Sequence, residues 1–206
     1  MKNILLVTAL TLKTILLFSQ AEDKGDVKMV SEYSSDNEEI EDILHFEGIE
    51  YLKLMFSGKD LADKSYHLTV KEIWNGEIKS DSTILNSKRI PFEQFQTIND
   101  TVLNLRVISK HTSDNELKIS FKFPRFSITK KFDAIKSDDY SLRNIAEAND
   151  TEINYGEKFY LLAYILPYEK DGVKYYCAVE SSGNDIKNWG KEFGIRHYLV
   201  FEMKFE

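Results

Sequence analysis

One cysteine in 206 residues leaves no partner for a disulfide, so the fold must stand on its core alone. Three prolines and nine glycines, with 13% aromatic residues, exclude a collagen-like or disordered chain. Positive charge is also in deficit, since 27 Lys and Arg face 34 Asp and Glu for a net charge of −7. A nucleic-acid binder needs a basic face to displace counterions from phosphates, so no nucleic-acid partner is expected. Catalytic signatures are missing too: there is no G-x-S-x-G elbow, no P-loop and no dinucleotide fingerprint. His45, His67, His111 and His197 show no HxH or HExxH spacing, so no metal site and no cofactor are expected.

What is present begins with the leader. Lys2 precedes an apolar run from Ile4 to Phe18, followed by Ser19-Gln20-Ala21 and the acidic Glu22-Asp23. Charge, apolar stretch and small-x-small predict a secretory signal peptide over residues 1–21. The run is interrupted by Lys13 and falls short of the roughly 20 apolar residues needed to span a bilayer, so no membrane span is expected in the mature chain. No cysteine lies at the cut, which excludes a lipoprotein anchor, and the only one is Cys177, read as a small buried hydrophobe. Cleavage removes two lysines and no acid, moving the net charge to −9 in a periplasmic or secreted protein.

Residues 22–48 read as an acidic linker ending in a short helix, Asp36 to His45. There Ser35-x-x-Glu38 has capping-box spacing, and Ile40, Ile43 and Leu44 form a stripe expected to lie on the body. The acids of this stretch lack the central glycine of a calcium loop and read as a solvated face.

From residue 49 the period changes to two. Leu117, Ile119, Phe121 and Phe123 alternate with polar residues, as do Leu103, Leu105 and Val107, and Tyr66, Leu68 and Val70. At the C-terminus Leu199, Phe201, Met203 and Phe205 repeat the rhythm. Phe159 to Leu166 is apolar without alternation and stops at Pro167, which predicts a central strand. Asn75-Gly76 and Asp171-Gly172 predict hairpins, and Ser113-Asp114-Asn115 and Pro124-Arg125 two more reversals. Pro91 opens a turn carrying Phe92 and Phe95, while Ser137 is expected to cap a short helix with Leu142, Ile145 and Ala146. The expectation is one all-β domain over residues 49–206, an antiparallel two-sheet sandwich of about nine strands, with a closed barrel as the alternative.

The segments Phe56-Ser57-Gly58-Lys59-Asp60-Leu61 and Tyr66 to Glu77 (YHLTVKEIWNGE) resemble a group of small secreted Gram-negative proteins that carry a domain of unknown function. The resemblance implies a β-sandwich-like secreted domain and transfers no catalytic or binding residue.

A connection as long as Ser181 to Arg196 in a compact domain points to function. Trp189, flanked by Asp185, Lys191 and Arg196, suits stacking on a sugar ring or anchoring a protein, which makes these four the expected ligand-binding residues. The competing reading has Ile186 and Trp189, three apart, forming one helical turn that plugs an end of the sandwich. The expected function is therefore a non-catalytic exported module that binds a glycan or a protein. An exported hydrolase with an Asp/Glu pair, acting on envelope or polysaccharide material, is the alternative. A third is an envelope protein assembling through a strand edge.

Overall fold

The computed structural model describes residues 25–113, 115–176 and 185–206. The expected leader and Cys177 lie outside them.

Two five-stranded antiparallel sheets face each other. Sheet I has the order β1-β2-β5-β6-β7 and sheet II the order β4-β3-β12-β9-β8. Sheet I consists of β1 (Lys28–Tyr33), β2 (Ile49–Ser57), β5 (Val102–His111), β6 (Glu116–Lys122) and β7 (Ser127–Asp133). Sheet II consists of β3 (Tyr66–Trp74), β4 (Glu77–Asn86), β8 (Ser141–Asn144), β9 (Lys158–Ile165) and β12 (His197–Phe205). A separate ribbon pairs β10 (Tyr168–Lys170) with β11 (Val173–Tyr175). The result is the expected all-β sandwich, not a closed barrel.

The alternation read in the sequence defines the core. Leu52, Leu54 and Phe56 of β2 point inward with Leu103, Leu105 and Val107 of β5 and Leu117, Ile119 and Phe121 of β6. Across the gap, Phe201 meets Phe121 edge to face at 5.2 Å and Phe205 meets Phe56 at 5.3 Å. The sheet edge at β7 turns Lys130 inward opposite Ile119, a charge that discourages pairing with another chain. The turn between β3 and β4 places Asn75 at φ 50° and Gly76 at φ 78°, the primed geometry that Asn-Gly favours.

Several expectations shift. Lys28–Tyr33, read as linker, is an edge strand paired with β2, because Met29 lies against the core while Val30 and Glu32 face out. The helix α1 (Glu38–Phe46) is capped by Asn37, whose Oδ1 accepts the Ile40 N–H at 3.1 Å, rather than by Ser35. Its apolar stripe is laid on the body only in part: Leu44 is half-buried, while Ile40 and Ile43 are exposed. Asp36–Lys53 and Glu47–Lys110 ion pairs hold the segment at its two ends. The stretch expected to be a helix capped by Ser137 divides into β8 and the short α2 (Ile145–Ala148), capped by Asn144. Leu142 there serves the strand period rather than the helical one.

Strand β12 is buried on both faces. Its outer face is covered by residues 185–195, which include the one-turn helix α3 (Trp189–Glu192). The Tyr198 hydroxyl donates to the Ile186 carbonyl at 3.0 Å and accepts the Gly190 N–H at 3.2 Å. Gly190 lies so close to the β3–β4 turn that a Cβ there would sit 2.5 Å from the Gly76 Cα. Gly190→Ala is therefore expected to cost about 1–3 kcal/mol of stability in urea unfolding. An unchanged midpoint would show that the covering segment is loosely held.

Candidate functional site

The four residues expected to bind ligand are divided by the fold. Trp189 is 1% exposed and packs on Tyr198 with ring centroids 5.9 Å apart, so its face is taken by the protein. Ile186, three residues earlier, is buried beside it. Together they form the apolar side of one helical turn, packed on Tyr198 of β12 beside the β3–β4 turn. Asp185, Lys191 and Arg196 are exposed around this turn, and Asp185 accepts the Asn188 amide at 2.7 Å. Trp189→Ala is expected to lower unfolding free energy by about 3–5 kcal/mol, as a cavity in a packed layer. Lys191→Ala and Arg196→Ala should stay within about 0.5 kcal/mol of the parent. If Trp189→Ala were equally neutral, the ring would not be part of the packing.

A second group of polar side chains lies at the end of the sandwich where β3, β5 and β12 meet. The Tyr140 hydroxyl accepts the Ile135 N–H at 3.1 Å and shares a hydrogen bond with His197 Nδ1 at 2.6 Å, while the buried His197 Nε2 has no hydrogen-bond partner among the described residues. The ring is buried under Trp74, 4.1 Å between centroids, and burial pushes its pKa down to about 4. His111 stacks on the other face of this group, 5.8 Å from Tyr140. Unfolded, His197 titrates near 6.5, so between pH 6.5 and 4 the unfolded chain binds a proton that the folded chain refuses. Stability is thus intact above pH 6.5, falls as pH drops toward 4, and loses on the order of 3 kcal/mol in all. His197→Gln, neutral throughout, should remove this part of the slope in urea titrations at each pH. A slope identical in both proteins would exclude the assignment.

Glu50 is a half-buried carboxylate with a structural role. Burial pushes the Glu50 carboxyl up in pKa, yet its oxygens accept the Leu142 N–H at 2.8 Å and the Ser141 hydroxyl at 2.8 Å. Glu50 joins β2 to β8 as a structural link and lines none of the hollows described below. Among the described residues, no three His, Cys, Asp or Glu side chains converge to hold a metal ion, and no helix is long and apolar enough to cross a membrane.

A concavity lies at the opposite corner. The turn after Pro91, the start of β5 and the β6–β7 reversal enclose about 320 Å³, at the lower end of small-ligand sites. One wall is aromatic. Phe95 meets Phe126 at 5.9 Å, Phe126 stacks on Phe123 at 4.9 Å, and Phe123 meets Tyr66 at 5.2 Å. The other wall is polar, with Asn99, Asp100, Asn104 and Arg125. Arg125 is held in place: it donates to the Gln94 carbonyl at 3.2 Å, and the Asn99 amide, oriented with its oxygen toward Arg125, accepts both guanidinium nitrogens at 2.8 and 3.1 Å. Asp100 is turned toward its own loop, accepting the Thr101 N–H at 2.6 Å. Pro91 with its two phenylalanines and Pro124-Arg125 were both legible as turns, but nothing in the sequence shows that they meet.

Asn104, Phe123 and Pro124 also line a shallower hollow of about 540 Å³ on the outer face of sheet I, with Val30, Met55 and Arg106. The cleft therefore opens onto that face.

No family model, curated protein or solved structure matches the chain.

Proposed function

We propose that this chain is an exported, non-catalytic glycan-binding module whose site is the corner cleft. The observation that carries the reading is the pairing of an aromatic wall with a polar one across a cleft of small-ligand volume. A sugar ring has an apolar C–H face and an equatorial rim of hydroxyls. The Phe95 and Phe126 rings, both half-buried, suit the first, and the Asn99 and Asn104 amides with Arg125 suit the second. Arg125 is fixed before any ligand arrives, so little side-chain entropy remains to be lost on binding. Among the described residues the cleft lining carries a single carboxylate, Asp100, turned toward its own loop.

The test is a panel of immobilised glycans probed with the mature protein. Phe95→Ala and Arg125→Ala should each weaken retention by about tenfold or more, while Arg125→Ala leaves the melting temperature unchanged. Retention equal to the parent in both variants, or no retention on any glycan, defeats the proposal.

A further inference from the structure

The chain is acidic, yet the outer face of sheet I carries cations in register. Lys53, Arg106 and Lys122 stand directly opposite one another across β2, β5 and β6. Four residues along the strands, Lys110, Lys118 and Lys131 form a second row across β5, β6 and β7. Neighbouring strands lie about 4.8 Å apart, and the two rows are separated by roughly 13 Å of strand. Like charges placed directly opposite on adjacent strands destabilise a sheet. Two such rows on one face, in a protein with acids to spare, call for a reason.

Half of the cations are answered within the chain. Lys53 reaches Asp36 at 2.8 Å, Lys110 reaches Glu47 at 2.9 Å and Lys131 reaches Glu116 at 2.6 Å. Arg106, Lys118 and Lys122 make no ion pair among the described residues. They lie on β5 and β6, in the middle of the face, and Arg106 and Lys122 line the hollow that the cleft opens into.

Resting on the cleft as a sugar site, we propose that its ligand is an acidic polysaccharide with one carboxylate per ring, which leaves the cleft past Arg125 and runs over Arg106, Lys122 and Lys118. Arg106 and Lys122, one strand apart, match anions on neighbouring sugars, and Lys118, roughly 13 Å along β6, meets one further down the chain. A single-stranded nucleic acid would need an aromatic platform beside each cation, and the intervening row of Tyr51, Ile108, Ser120 and Thr129 offers one ring, on β2 and away from Lys118 and Lys122. An anionic membrane would meet Glu38, Glu39 and Glu41 of α1, whose segment is held to the same face by Asp36 and Glu47. A plane of lipid headgroups cannot avoid those acids, whereas a single chain crossing β5 and β6 passes beside them.

The experiment compares polygalacturonate with its fully methyl-esterified form, which has the same rings without the charge. The parent protein should bind the acid form at least about tenfold tighter at low salt. Its affinity should fall with added salt. Arg106→Glu with Lys122→Glu should abolish that preference, while Arg106→Gln alone, which removes the central charge of the row, should raise the melting temperature by a few degrees. Arg106→Gln with Lys122→Gln provides a milder pair that should lose most of the preference. Lys170→Glu, remote on the ribbon, makes the same change in net charge per site and should leave binding as in the parent.

Equal binding of the two polymers by the parent, or a preference that survives both double variants, overturns the inference while the cleft reading stands. Polymer binding that Phe95→Ala leaves intact overturns the cleft reading itself. Tighter binding to phosphatidylglycerol vesicles than to polygalacturonate, lost in the same variants, overturns the polysaccharide in favour of a lipid surface.

Discussion

Phe201 lies against Phe121 and Phe132 of the opposite sheet, and Phe205 against Phe56, so β12 holds the two layers at a fixed separation. With no disulfide available to the described core, this interdigitation of large rings must resist the conformational entropy of the unfolded chain unaided. It also explains why β12 needs a cover on its other side. The outer face of β12 begins with Tyr198 and Val200, which cannot be left to water, and residues 185–195 pack Trp189 on Tyr198, while Glu202 further along is answered by Lys71 and Thr69. Of the residues that looked most functional in the sequence, Trp189 is thereby committed to burial, while Asp185, Lys191 and Arg196 stay exposed around it.

How much of this was legible follows from the range of the interactions involved. Period-two alternation is local, so β5, β6 and the C-terminal strand could be placed residue by residue, and Asn75-Gly76 located a turn from the φ values those residues tolerate. β1 was missed because an edge strand exposes one face and most of its rim, leaving a composition close to that of a linker. The stretch around Leu142 misled because four residues of strand run directly into four of helix, too short for either period to declare itself. Trp189 between polar neighbours reads the same whether its ring faces a ligand or a sheet. The corner cleft was beyond reach for another reason. Phe95 and Phe126 come from separate turns, and only the pairing of β5 with β6 and β7 brings them together.

Net charge was the least instructive number in the sequence. A total of −7 argues correctly against a protein that is basic throughout, but it averages over faces. The acids concentrate on α1 and the loops, and strand pairing gathers lysines from β2, β5, β6 and β7, separated by up to 78 residues, into two lines. Register is what creates that pattern. A slip of one residue would turn the leucines outward and the lysines inward, so the hydrophobic alternation that secures the core also aligns the cations.

Strand β6 gathers these constraints into seven residues and the reversal that follows. Its inward positions, Ile119 and Phe121, belong to the core, and Phe123 just beyond adds the buried end of the aromatic wall. Its outward positions, Lys118 and Lys122, belong to the charged face. Pro124, which has no N–H to give, then follows the strand at a position where the ladder needs none, and Arg125 swings back over the cleft. Stability and recognition are thus separated by parity along one strand. Substitutions at inward positions act through packing, those at outward positions act through charge with little demand on the fold, and only the residues at the reversal are exposed to both.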